Sequence, residues 1–154
     1  YPVPEGLTVA RALAENTGVT GSSIVVARPA FERIGGFDQG LPAANDLDLL
    51  LRLLDSGVTY AVVGGLLVGY HSHDGPRLTT SPGRADGLAT FSAKWADRLT
   101  RADRRRIESE VVGIRRRSTA NPVHRGALVA REAWLLGWRE SLRRAEDRWR
   151  WSRG

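Results

Sequence analysis

The chain has no cysteine and no methionine, and Lys94 is its only lysine. Without cysteine, neither a disulfide nor a thiolate metal site can hold the fold. The missing methionine predicts an excised piece of a longer protein. Arginine supplies the remaining Lys/Arg charge, and since genomic base composition is a sufficient account of such a bias it is not read as design. The sequence also lacks a long apolar run. The longest, residues 60–70, is broken by Gly64-Gly65 and falls short of the roughly 20 residues needed to span a bilayer. The start, Tyr-Pro-Val-Pro-Glu-Gly, has no basic stretch followed by apolar residues, so no secretory signal is visible. A cytoplasmic protein is expected, peripheral to the cytoplasmic membrane face if it touches a membrane. No internal repeat or low-complexity tract is present.

What remains is an ordinary globular composition, 42% hydrophobic and 26% charged over 154 residues, long enough to bury a core. Charge is unevenly spread. Residues 98–154 hold 16 Arg against 7 acids, and residues 1–97 hold 7 basic residues against 10 acids. Such asymmetry suits an anionic partner, with solvated helix faces as the plainer account. Nucleic acid is the weaker partner because only charge, and no recognised module, speaks for it.

Residues 1–18 read as a loop and a short helix carrying Val9, Ala12 and Leu13. The β-branched stretch 22–27 predicts a buried strand. Pro29 opens a short helix with Phe31 and Ile34 inward, and Gly35-Gly36 stops it. After a loop, Leu47, Leu50, Leu51 and Leu54 form one apolar helical face. Asn45 or Asp46 is expected to cap that helix, Asp48 to favour its dipole, and Asp48 and Arg52 to pair on its surface. Strands are expected at 58–63 and 66–70, a polar loop at 71–83, and helices near 84–98, 101–117 and 122–148. Asp38 is expected to order the turn after Phe37. The resulting layout is an α/β part over residues 1–83 and an Arg/Trp-rich helical tail over 84–154.

The motifs stand in order: Gly21-Ser22, Arg28 to Phe31, Gly35-Gly36-Phe37-Asp38, Asp46-Leu47-Asp48-Leu49, Arg52-Leu53, Gly57, then Tyr70 and His73. This series resembles the acceptor-side half of family-2 glycosyltransferases of the GT-A fold and covers roughly residues 16–80. The resemblance implies a partial GT-A-like α/β fold without the nucleotide-binding half. It implies inverting transfer of a sugar from a nucleotide-sugar donor to an acceptor hydroxyl. Asp46 takes the place of the general base, and Asn45, Gly21 and Ser22 line the acceptor side. The family usually has Glu where Asn45 stands. Asn cannot carry charge but still hydrogen-bonds a hydroxyl.

The chemistry suits these residues independently of the resemblance. A sugar hydroxyl must lose its proton as it attacks, which calls for a carboxylate within hydrogen-bond reach. The simpler account of Asp46 is a helix cap. His73 stands where a His of the family completes the metal site or touches the leaving diphosphate, so the resemblance implies Mn²⁺ or Mg²⁺ as cofactor. His71 lies where the family often has Arg, with two surface histidines on a polar loop as the plainer account of both imidazoles. Arg77 with Thr79 and Thr80 can contact phosphate, but a solvated loop explains them more simply. The upstream Asp-x-Asp of the family has no counterpart, so the donor half is expected from elsewhere, in cis or in trans. The competing reading is a non-catalytic interaction or membrane-surface domain that keeps this scaffold. In the tail, Trp134, Leu135, Trp138, Leu142 and Ala145 suggest an apolar stripe, either packed inward or laid on an anionic membrane surface.

Overall fold

A computed structural model describes residues 3–15, 17–65, 67–69 and 82–137. Among them the regular elements are helices: α1 (Val9–Ala14), a 3₁₀ turn (Gly21–Ser23), α2 (Arg28–Arg33), α3 (Asn45–Asp55), α4 (Pro82–Lys94), α5 (Arg101–Ser118) and α6 (Pro122–Leu136). Local chemistry explains most of their ends. The Thr8 side chain caps α1 by accepting from Arg11 N. Gly35 and Gly36 follow α2 with φ of 80° and 68°, a region open to glycine at little cost. Thr100 and Asp103 form a reciprocal capping box at the start of α5, satisfying two otherwise orphaned donors. The Asn121 side chain accepts from Val123 N and His124 N at the start of α6.

The expected α/β architecture is corrected: no strand occurs among the described residues. Gly21 and Ser22 lie in the 3₁₀ turn instead of leading a strand. Residues 24–27, 58–64 and 67–69 carry no regular element. Val25 is 102% exposed and Leu67 74% exposed. The physical reason is that β-branched composition favours extended backbone, but a strand exists only once its N–H and C=O groups find a ladder. No such ladder forms among the described residues, so they hold no GT-A-like sheet.

Other expectations need adjustment. The helix expected over 122–148 is described to Leu136, with Gly137 at its C-cap. The cap expected from Asn45 or Asp46 falls on Ala44, with φ 61° and no side-chain bond, so both polar residues lie in the first turn. The buried side of α3 is also wider than its expected apolar face. Leu49, Leu51 and Leu53 are buried, whereas Leu47, Leu50 and Leu54 are half-buried.

One hydrophobic cluster crosses the boundary expected near residue 83. Leu7, Leu13, Leu41 and Leu51 pack with Leu88, Phe91, Trp95, Ile107, Val111 and Ile114. Gly87 permits the close approach of α4 to the loop before α3. A Cβ there would lie 2.5 Å from Ala43 N and 2.6 Å from Ala43 Cβ. Polar ties fix the periphery. Tyr60 Oη accepts from Leu7 N and donates to Pro4 O, both at 2.7 Å. Arg106 donates to the Leu13 carbonyl, and Arg98 pairs with Asp55.

Candidate functional site

Helix α3 carries two aspartates with different surroundings. Asp48 is fully buried, at 0% exposure. Its Oδ2 accepts from Arg52 Nε at 2.8 Å, and its Oδ1 accepts from Trp95 Nε1 at 2.9 Å. Lys94 Nζ lies 2.8 Å from the same Oδ1 and 2.6 Å from Asp38 Oδ2. Two carboxylates therefore meet two cations, and their charges sum to zero. Burial on this scale is tolerable because each charge is paired and the carboxylate of Asp48 is hydrogen-bonded on both oxygens.

This node also collects the motif residues that the sequence separates. Arg52 Nη1 donates to the Ile34 carbonyl at 2.8 Å, tying the end of α2 to α3. Asp38 Oδ1 accepts from Gly40 N at 2.8 Å, so Asp38 does order its turn while holding Lys94. Gly36 lets the turn close over Phe31: a Cβ there would meet the ring at 3.0 Å. Phe31 and Phe37 pack edge to face with centroids 5.7 Å apart. The Gly35–Asp38 turn, Asp48 and Arg52 thus belong to one physical unit. Its remaining open donor is Arg52 Nη2, buried without a hydrogen-bond partner among the described residues.

The expected Asp48–Arg52 pair forms, but it is buried against α4 rather than laid on the surface. Sequence reasoning missed Lys94 and Trp95 as members of the node. The available signal was an only lysine next to a tryptophan, at the end of a helix carrying Phe91. Their ion pairs fix the electrostatics. The hydrogen bond from Lys94 to Asp38, reinforced by Gly40 N, holds the Asp38 carboxyl below its usual value. For Lys94, burial pulls the ammonium pKa down, but the bonds to Asp38 and Asp48 outweigh it and the net shift is upward.

Asp46 lies two residues before Asp48, in the same first turn of α3. It is half-buried, and its Oδ1 accepts from Leu47 N at 2.8 Å. Its Oδ2 has no protein partner among the described residues. The carboxylate is therefore oriented through one oxygen and open through the other, on the first turn of an 11-residue helix. Asn45 precedes it and is also half-buried. Gly21 and Ser22 are exposed. The side-chain bonds of their turn are local, with Thr20 Oγ1 and Ser22 Oγ 3.1 Å apart. No described hydrogen bond joins that turn to α3, so the structure does not bring these acceptor-side candidates together with Asp46 through a shared bond.

His73, His71, Tyr70, Arg77, Thr79 and Thr80 lie outside the described residues. Among the described residues no group of three or more His, Asp or Glu side chains is placed to hold a metal ion. No described helix is long and apolar enough to cross a membrane. Compared with known proteins, the chain matches no family model, no curated protein and no solved structure.

Proposed function

We propose that the chain is the acceptor-side part of an inverting glycosyltransferase, with Asp46 as its general base. The observation that supports this reading is the division of labour along α3. Asp48 is consumed by Arg52, Lys94 and Trp95, whereas Asp46 keeps Oδ2 open among the described residues, on a turn held in place by that network. A rigidly mounted carboxylate with one open oxygen is what proton abstraction from a hydroxyl needs.

In this reading the acceptor hydroxyl binds near Asn45 and Asp46. Its proton passes to Asp46 Oδ2 as its oxygen bonds to the anomeric carbon. The bond from that carbon to the nucleoside diphosphate breaks on the opposite face, so the configuration inverts. The donor half is supplied in cis or in trans, because no Asp-x-Asp in the family's context is present in this sequence. The divalent cation implied by the resemblance, Mn²⁺ or Mg²⁺ with His73 as ligand, would belong to the part of the site outside the described residues. Work in the cytoplasm, next to a membrane face, completes the reading and leans on the Arg excess of residues 98–154.

The test is sugar transfer by the complete enzyme carrying Asp46→Asn. The expected loss is about 10²–10⁴-fold, the usual contribution of a positioned base. Transfer near the unsubstituted rate would remove Asp46 as base and leave the non-catalytic interaction domain as the better account.

A further inference from the structure

The outer face of α6 is apolar where a solvated helix would be polar. Val123, Ala127, Ala130 and Trp134 recur at spacings of four, three and four, which places them on one side of the helix. All four are exposed, Val123 at 81% and Trp134 at 72%. Trp134 and Leu135, expected on one stripe, part company: Leu135 turns inward and is buried. The buried contact of α6 is therefore made by Leu135, and the Val123–Trp134 stripe contributes no buried residue.

Cations flank the tryptophan end of this stripe. Arg105 lies over the Trp134 ring, 5.7 Å from its centroid. Arg101, Arg105 and Arg106 line an open groove of about 470 Å³ whose other walls include Leu135 and Leu136. Arg106 is engaged with the Leu13 carbonyl. Arg101 and Arg105 have no carboxylate partner among the described residues, although elsewhere on α5 Arg115 and Arg116 are each paired with an acid. An exposed indole next to guanidinia that meet no carboxylate among the described residues, continuous with an apolar helix face, has the chemistry of a bilayer interface. The ring and the small apolar residues enter the headgroup region while the cations meet lipid phosphates.

We propose that this face of α6, with Arg101 and Arg105 of α5, docks the protein on an anionic phospholipid surface. Charge complementarity selects the partner: an apolar protein groove would satisfy the stripe but offer no anion to the two guanidinia, whereas a phospholipid surface does both. Docking is peripheral and reversible, since the stripe is short. It stands independently of the glycosyltransferase reading, because none of these residues belongs to the Asp46 or Asp48 surroundings.

The experiment is co-sedimentation of the 154-residue chain with vesicles of phosphatidylcholine alone and of phosphatidylcholine mixed with phosphatidylserine. Binding is expected to the mixed vesicles and to weaken with added salt. The double variant Arg101→Gln, Arg105→Gln is expected to bind about 30-fold more weakly, from roughly a fivefold loss per neutralised cation. Trp134→Ala is expected to weaken binding to the same vesicles while its thermal unfolding stays unchanged, since the ring is largely exposed. Failure to bind the mixed vesicles, equal binding to both vesicle types, or full binding by the double variant would each overturn the proposal.

Discussion

Asp46 and Asp48 stand two residues apart on one helix, yet their regions follow opposite rules. Around Asp48, every charge is answered. Arg52 comes from the next turn, Lys94 and Trp95 from α4, and Lys94 continues to Asp38 in the turn after α2. Around Asp46, the carboxylate is held by a single backbone donor, and its second oxygen is open among the described residues. The contrast shows that the same side chain does different work according to how fully its surroundings satisfy it. A satisfied, buried carboxylate fixes geometry; a mounted but open one is free for chemistry.

The largest expected effect on stability comes from breaking the answered side. Asp48→Ala leaves Arg52 and Lys94 without their shared acceptor and Trp95 Nε1 without its bond. Removing one partner of a buried pair costs about 3–5 kcal/mol. Because the Lys94 side chain is 32% exposed, the lower end is expected. Urea unfolding measures it, and a loss under about 1 kcal/mol would mean the node does not hold the fold.

The next effect concerns how α4 is brought to α3. Gly87→Ala forces a methyl into Ala43, where the nearest atom is backbone nitrogen. Overpacking of this kind costs about 1–3 kcal/mol, against a gain of up to about 1 kcal/mol from better helix propensity. A net fall in thermal midpoint is expected. A rise would show that the two elements sit farther apart.

On the open side the stability effect should be small. Asp46→Asn keeps a side-chain oxygen for Leu47 N, so unfolding should change by about 0.5 kcal/mol or less. A loss comparable to that of Asp48→Ala would erase the distinction between the two regions.

The smallest effect is in pH dependence. Asp38 has a lowered pKa in the fold, so its contribution is present above its usual 3.8 and fades as pH falls through the lower folded value. Lys94 has a raised pKa, so its contribution is present below 10.5 and fades as pH rises through the higher folded value. Lys94→Gln should flatten the acid limb of a thermal-midpoint profile. An unchanged acid limb would detach Asp38 from the node.

The sequence made some of this legible and hid the rest for physical reasons. Local signals worked where the cause was local: the Gly35-Gly36 stop, the break at Thr100, the start at Pro122, and the i,i+4 spacing of Asp48 and Arg52. Strands at 22–27, 58–63 and 66–70 could not be settled from composition, because a ladder depends on a distant partner. The burial of Asp48 depends on Trp95, 47 residues away, which no spacing within α3 reveals. The contacts that join Gly35–Asp38 to α3 run through Arg52 and Lys94 and were not legible in the motif order. The placement of Gly21 and Ser22 in a local turn makes the same point. A shared motif order does not by itself bring residues to one site.

On the proposed glycosyltransferase reading, the most direct test of the division between the two aspartates is sugar transfer per folded molecule, measured side by side for Asp46→Asn and Asp48→Asn in the complete enzyme that this reading implies. The expected result is a loss of about 100-fold or more for Asp46→Asn with its unfolding unchanged, and lower stability for Asp48→Asn with transfer largely kept in the folded fraction. Full transfer by Asp46→Asn, with transfer abolished in folded Asp48→Asn, would contradict the account.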